Sequence, residues 1–159
     1  MQNLNPDNFY VDQTFYSWNC QSPDLWALYT NSTMFVIFLH LATSEALGGG
    51  LLRPTTEEME EIVIPNPHKL LLENELTGCR DIFSRPIHSI FEELGLPTPN
   101  RDYSNVHPDD ISLDKVLPDR RALDEVVFEA LGLTDEEQLA VYRAVVELVR
   151  NRLVKARSV

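Results

Sequence analysis

The stretch that decides the fold lies at residues 118–150 and reads PDRRALDEVVFEALGLTDEEQLAVYRAVVELVR. Apolar residues recur in it every three or four positions, which is the spacing of one face of an α-helix. Gly132 interrupts the pattern, and Thr134 follows with Glu137 three residues later. A glycine is typical of a helix end, and a threonine with a following glutamate is typical of a capping box at a helix start. The stretch therefore predicts two helices, at 119–131 and from Thr134 onwards, that form a hairpin.

Each helix of this hairpin carries an apolar stripe that we expect to be buried. The stripe of the first helix consists of Leu123, Val126, Val127 and Leu131. The stripe of the second consists of Leu139, Tyr142, Val145, Val146, Val149 and Leu153.

Residues 97–117 precede the hairpin and are polar and proline-bearing. A connection of this length without its own periodicity is typical of a linker or a long surface loop. We therefore divide the chain into a first segment at 1–96, the linker or long loop at 97–117 and the C-terminal helical hairpin at 118–159.

The N-terminal half predicts short strands. Apolar side chains alternate within residues 8–18, and residues 62–64 form a β-branched run that ends at Pro65. Both patterns are typical of strands. The predicted fold class is therefore α+β, mostly helical, with short strands in the N-terminal half and the helical hairpin at the C-terminus.

The same half also predicts helices. The longest starts at Ser22 and Pro23 and runs to about Thr43, through a stretch without charged side chains from 25 to 44. Polar residues within this stretch and acidic residues at both ends indicate a buried helix and not a membrane anchor. The shorter helices are an acidic one capped by Thr55 or Thr56, a turn or two at 68–77 ended by Gly78, and one from Pro86 to Gly95. Asn31, Ser32 and Thr33 match a glycosylation sequon, but we expect them to bond to helix carbonyls or to a packed neighbour.

The charge of the chain is strongly acidic, with 13 Lys and Arg against 25 Asp and Glu and a formal net charge of −12. Affinity for phosphates comes mainly from cations, so this balance excludes a free-standing protein that coats nucleic acid. Cys20 and Cys79 are far apart and fit neither a disulfide framework nor a zinc ribbon. This sparing use of cysteine, without a secretory signal after Met1, predicts a cytoplasmic protein.

No residue pattern predicts a catalytic, cofactor-binding or metal-binding site. The four histidines lack metal-ligand spacing, and Gly48 to Gly50 lies outside any nucleotide-binding context. The acidic pairs Glu57-Glu58, Glu60-Glu61 and Glu92-Glu93 are expected on exposed helix faces. We therefore assign no catalytic residue.

Several segments together carry a resemblance to a known family. They are DQTFY at 12–16, LYTNSTMF at 28–35, LGGGLLR at 47–53 and IPNP at 64–67, followed by PDRRALD at 118–124, FEALGLT at 128–134, VYR at 141–143 and KARSV at 155–159. The first four resemble the end of the target-recognition region of adenine-N6 DNA methyltransferases from restriction-modification systems. The last four resemble the C-terminal tail of the same proteins, in the same order.

The resemblance implies a role beside a catalytic domain. The family holds its target adenine with an Asn/Asp-Pro-Pro-aromatic tetrapeptide and binds S-adenosylmethionine with a glycine-bearing loop, and this chain has neither motif. The chain is therefore not expected to be an enzyme on its own or to bind a cofactor, and S-adenosylmethionine would belong to the complete enzyme. The candidate DNA-binding residues are Gly49, Gly50, Arg53, Arg150, Arg152 and Lys155. Cations near a helix end, including Arg157, also complement the helix dipole without any ligand.

Two functions follow as hypotheses. The first is a non-catalytic C-terminal fragment or subunit of an adenine-specific DNA methyltransferase of a restriction-modification system. It would contribute to DNA target recognition and to assembly with the catalytic domain, and would reach DNA through the complete enzyme. The second is a protein–protein interaction module that docks through its helical hairpin and has no DNA role.

Overall fold

A computed structural model describes residues 21–43, 54–62, 65–70 and 77–157. These residues form the helices α1 (Pro23–Thr30), α2 (Thr33–Ala42), α3 (Thr56–Glu61), α4 (Pro67–Leu70), α5 (Ile90–Glu93), α6 (Pro118–Leu131) and α7 (Asp135–Arg157). Short 3-10 helices lie at Thr77–Phe83, Pro108–Asp110 and Leu113–Lys115.

The described residues contain no β-strand, so the predicted α+β class is wrong and the fold is all-helical. Ile62, the start of one predicted strand, lies at the C-terminal end of α3. A capping box between Thr55 and Glu58 starts this acidic helix, and Ile62 follows it directly. The predicted strand at 8–18 and the rest of the 62–64 run lie outside the described residues.

The single helix predicted from Ser22 to about Thr43 is instead two helices, α1 and α2, whose axes differ by 76°. Ser32 ends the first helix and caps the second, because its hydroxyl donates to the carbonyl of Tyr29 at 2.7 Å and accepts from the N–H of Phe35 at 3.3 Å. The amide of Asn31 donates to the carbonyl of Ala27 at 2.7 Å. The expectation that the Asn31–Ser32–Thr33 triplet bonds to carbonyls and to a packed neighbour is confirmed.

Two smaller predictions in this half are also corrected. Gly78, predicted to end the helix at 68–77, lies inside the 3-10 helix Thr77–Phe83. The helix predicted from Pro86 starts only after Ser89, whose hydroxyl accepts from the N–H of Glu92. Pro86 fixes its own φ but cannot supply a side-chain oxygen to the first turn, whereas Ser89 can.

The helices of the predicted hairpin, α6 and α7, form as expected. Gly132 follows α6 with φ +71°, and the Thr134 hydroxyl accepts from the N–H of Glu137 at 3.3 Å. The residues Tyr142, Val145, Val146 and Val149 of the α7 stripe are buried. Between the helices, the rings of Phe128 and Tyr142 meet edge to face, with centroids 5.4 Å apart.

Two hydrophobic clusters form the core, and α6 contributes to both. One contains Leu25, Leu28, Tyr29, Phe35, Cys79, Ile82, Leu123 and Val127. The other contains Phe128 and the α7 stripe together with Phe91, Leu94, Leu96, Tyr103, Val106, Ile111 and Val116. The region 97–117, predicted as a linker or long loop, thus contributes four buried side chains to the core against α7.

Within the described ranges, no single helix is long and apolar enough to cross a membrane. The bent pair α1 and α2 meets the length and composition criteria only when both helices are taken together.

Candidate functional site

An open cleft of about 280 Å³ lies between α2 and the segment that leads into α5. Phe35, Val36 and Leu39 line it from α2, and Ile87 and Ile90 line it from the opposite side. Ile87 is 73% exposed at the rim, and Leu41 further along α2 is 74% exposed. The cleft is therefore a mainly apolar surface that remains open to solvent.

The polar side of the cleft is a buried ion-pair network. Arg120 from α6 donates from Nε to the carboxylate of Glu93 at 2.6 Å. Arg85 donates to the other oxygen of that carboxylate at 2.8 Å and also pairs with Asp119. Arg120 donates further to the backbone carbonyl of Asn31. Glu93 and Arg120 are only 4% and 6% exposed, so water does not screen these contacts strongly.

Asp124 extends the network to the start of α2. Its carboxylate accepts from the N–H of Thr33 at 2.7 Å and from the Thr33 hydroxyl at 2.6 Å. Asp124 is fully buried, and Arg120, whose guanidinium is 3.9 Å away, is directed mainly at Glu93. Burial raises the pKa of Asp124, and Arg120 and Thr33 oppose this shift only in part. Burial and the nearby Asp124 charge also raise the pKa of Tyr142 and that of the Cys79 thiol.

The expectation that Glu93 lies on an exposed helix face is wrong. A signal was present in the sequence, because Ile90, Phe91 and Leu94 surround Glu93 with apolar positions. Arg120 and Asp124 likewise share helical spacing with the buried Leu123 and Val127. Charged residues at core positions of a helix predict buried partners of opposite sign.

The network connects parts of the chain to one another, and its polar groups are therefore largely occupied and not available to a substrate. The guanidinium of Arg120 is directed at Glu93, at the Asn31 carbonyl and at Asp124, and Glu93 is held by two arginines. Among the described residues there is no group of three or more His, Cys, Asp or Glu side chains that could hold a metal ion. The arrangement can hold α2, α5 and α6 together and present an apolar cleft, but it offers no evident acid–base pair to a ligand.

The candidate DNA-binding residues fall into two groups. Gly49, Gly50 and Arg53 lie outside the described residues. Arg150, Arg152 and Lys155 lie in the last two turns of α7, which the structure describes. The structure therefore brings only the second group together, on one helix.

The three side chains of this second group have different surroundings. Arg150 donates to the backbone carbonyl of Val106 at 3.1 Å. Arg152 is half-buried beside His40 of α2, its Nε has no hydrogen-bond partner, and burial lowers its pKa. Lys155 is exposed. The sequence alone did not separate these three environments.

Comparisons with protein-family models, with curated proteins and with solved structures give no match to this chain.

Proposed function

We propose that the chain is a non-catalytic part of an adenine-specific DNA methyltransferase of a restriction-modification system, either a C-terminal fragment or a subunit. In this role it contributes to DNA target recognition and assembles with the catalytic domain, which binds S-adenosylmethionine. The ordered resemblance of its segments to that family motivates the proposal.

The observation that carries the proposal is a contact between two of those segments. LYTNSTMF at 28–35 and PDRRALD at 118–124 are about ninety residues apart in the sequence. In the structure Arg120 donates to the Asn31 carbonyl and Asp124 accepts from Thr33, and all four residues are buried. These two segments of the resemblance are therefore connected in the interior of the described structure, which supports a shared architecture.

The open cleft supports the assembly part of the proposal. A large apolar side chain as exposed as Ile87 is typical of a protein–protein contact when it borders a mainly apolar depression. The net charge of −12 agrees with a complex in which the catalytic domain supplies most of the cationic contacts to DNA.

A second candidate is a protein–protein interaction module that docks through the hairpin, with no DNA role. Leu148 and Val154 of α7 favour it, since both are large apolar residues exposed by 36% and 43%. The α7 stripe itself packs inside the chain, so Leu148 and Val154 are the exposed large apolar residues that the described part of the hairpin offers to a partner.

A reconstitution experiment tests the proposal. The chain is co-purified with an adenine-specific methylase domain from the same genome that carries both missing motifs, and DNA affinity of the domain is measured with and without the chain. We expect a complex and a higher DNA affinity, and we expect Ile87→Asp to weaken the complex. Leu148→Asp, on the far helix, is the matched control. Failure to form the complex would contradict the proposal, and a complex that Leu148→Asp disrupts without any change in DNA affinity would favour the second candidate.

A further inference from the structure

The arginines of the described residues divide into two groups by their partners. Arg80, Arg85, Arg120 and Arg121 each form an ion pair with a carboxylate. In the same part of the chain, the arginines that form no ion pair within 4.0 Å are Arg101, Arg143, Arg150, Arg152 and Arg157. Acidic residues outnumber basic ones by 25 to 13, so carboxylates are plentiful. The second group, four of whose members lie on α7, is thus left without carboxylate partners although the chain could supply them.

Three of these arginines lie on one face of α7. Arg143, Arg150 and Arg157 are seven residues apart, which is close to two helical turns. They therefore follow one another along the helix at intervals of about 10 Å. We call these three residues the arginine stripe.

The region 97–117 orients two members of the stripe. Arg150 donates to the carbonyl of Val106, and Arg157 donates to the carbonyl of Arg101. The Arg157 guanidinium also lies over the Tyr103 ring, 5.0 Å from its centroid. Carbonyls and aromatic rings position a guanidinium without neutralising it, so the positive charge of the stripe remains available to an anion.

Arg152 differs from the stripe, although it lies in the same turns. It lies beside His40 on the side of α7 that packs against α2, so an external anion would have to separate these two helices to reach it. The Nε atoms of Arg152 and Arg143 are both buried, so the helix face, and not the burial of Nε, distinguishes Arg152 from the stripe. Arg152 is therefore a suitable internal control.

We infer that Arg143, Arg150 and Arg157 form a phosphate-binding surface that contacts the backbone of duplex DNA. This assignment rests on the proposed function, which brings DNA to the complete enzyme, and it identifies the face of α7 that meets the phosphates. The guanidinium fork matches phosphate geometry, and several arginines at regular intervals suit a polymer of regularly spaced charge. Contacts of this kind position the protein on the duplex and do not read its sequence.

The neighbours of the stripe favour nucleic acid over an acidic protein. The core of a protein–protein interface is apolar and poor in charge, whereas protein–DNA interfaces are polar and positively charged. The helix face that carries the stripe also carries Glu136, Leu139, Ala140, Glu147 and Val154. Leu139 packs against the core, so Val154 is the exposed large apolar residue among them. Glu147 lies between Arg143 and Arg150, and we expect it to weaken DNA binding.

The test measures how the affinity of the 159-residue chain for a short random-sequence DNA duplex depends on salt. The net charge of −12 predicts weak binding, so the series starts at low salt, where a contact made by the stripe alone is measurable. Each lost phosphate contact lowers the slope of log affinity against log salt by about one unit. Arg143→Gln should lower the slope by about one unit, and the triple change of the stripe to Gln should lower it by about three. Glu147→Gln should strengthen binding.

Two control variants separate charge from folding. The triple change of the stripe to Lys keeps the charge but alters the hydrogen bonds to the 97–117 region, and it should retain most of the slope. The pair Arg152→Gln and Lys155→Gln removes two charges outside the stripe and should leave the slope nearly unchanged, whereas a loss of about two units would place both residues in the phosphate contact. A thermal melt of every variant confirms that it is folded, and Arg143→Gln loses no hydrogen bond of the described structure.

The inference is overturned if the wild-type chain does not bind the duplex at low salt, or if Arg143→Gln and the triple Gln variant leave the slope unchanged. It is also overturned if polyglutamate competes as well as DNA does, which would assign the stripe to an acidic protein. The measurement needs no methylase domain. Stripe-dependent DNA binding without formation of the methylase complex would therefore leave the inference standing and contradict the proposed function.

Discussion

At the residue scale, Asp124 is the most demanding position of the described structure. It is fully buried, it holds the start of α2 through Thr33, and it shares Arg120 with Glu93. The group formed by Arg85, Arg120, Glu93, Asp119 and Asp124 has two positive and three negative charges when every member is ionised. A buried group with one excess negative charge favours retention of a proton, which agrees with the raised pKa of Asp124.

We predict a specific pH dependence for Asp124→Asn. The folded-state pKa of Asp124 lies above its ordinary value of 3.8. The stabilising contribution of this residue is therefore complete below that value and is lost as the pH rises through the folded-state pKa. The free energy of unfolding of the wild type, minus that of Asp124→Asn, should fall as the pH rises above the ordinary value of 3.8. Urea unfolding of both proteins at several pH values measures this difference in free energy. A difference that rises with pH would show that Arg120 lowers the pKa of Asp124 instead.

Gly95 and Gly132 offer a matched pair at the same scale. Both have positive φ, at +77° and +71°, so alanine at either site is expected to cost about 1 kcal/mol in backbone energy. A Cβ at Gly95 would also lie 2.5 Å from both the Cβ and the carbonyl oxygen of Lys115, whereas nothing lies within 4 Å at Gly132. Gly95→Ala should therefore lower the free energy of unfolding by a further ~1–3 kcal/mol. Equal losses in the two variants, measured by urea unfolding, would show that the 113–115 turn moves aside at little cost.

At the element scale, the sequence predicted part of the local structure and missed contacts between distant segments. The capping box at Thr134 and the end of α6 at Gly132 formed as expected, and Thr55 is the cap of the two residues offered for α3. The start of α5 at Ser89, which is also local, was missed. The division between α1 and α2 was not predicted, because it depends partly on Asp124. The carboxylate of Asp124 accepts a hydrogen bond from the N–H of Thr33, although the two residues are 91 positions apart in the sequence. The buried Glu93 was missed for the same reason, since its partner Arg120 lies 27 positions further along the chain.

The apolar stripe of α7 leads to a prediction for Val145→Asp. Val145 is completely buried in the cluster that contains Tyr142 and Val149. An aspartate there would place an unpaired charge among apolar side chains, so the free energy of unfolding should fall by about 3 kcal/mol or more. Ala140→Asp on the exposed face of the same helix is the control, with an expected change within ~0.5 kcal/mol. A thermal melt of Val145→Asp that matches the wild type would show that this face of α7 is not buried in solution.

At the scale of the whole molecule, the described structure separates inward-facing from outward-facing cations. The buried carboxylate of Glu93 forms ion pairs with Arg85 and Arg120, and these pairs connect α5 and α6. The arginine stripe on α7 has no carboxylate partner among the described residues. The one open cleft described above is mainly apolar, and its single carboxylate, Glu93, is bound by two arginines. A molecule organised in this way suits contact with other macromolecules better than the binding of a small charged cofactor.

We therefore predict that the chain alone neither binds S-adenosylmethionine nor methylates DNA. The tetrapeptide that holds adenine and the glycine-bearing cofactor loop are missing from the whole sequence. The described cleft does not replace them, because it is mainly apolar and its one carboxylate, Glu93, is already bound by two arginines. Calorimetric titration with S-adenosylmethionine should show no binding at micromolar concentrations, with a methylase domain that carries both motifs as the positive control. Saturable heat from the isolated chain would mean that residues other than these motifs form a cofactor site, and it would remove the physical basis for a non-catalytic role.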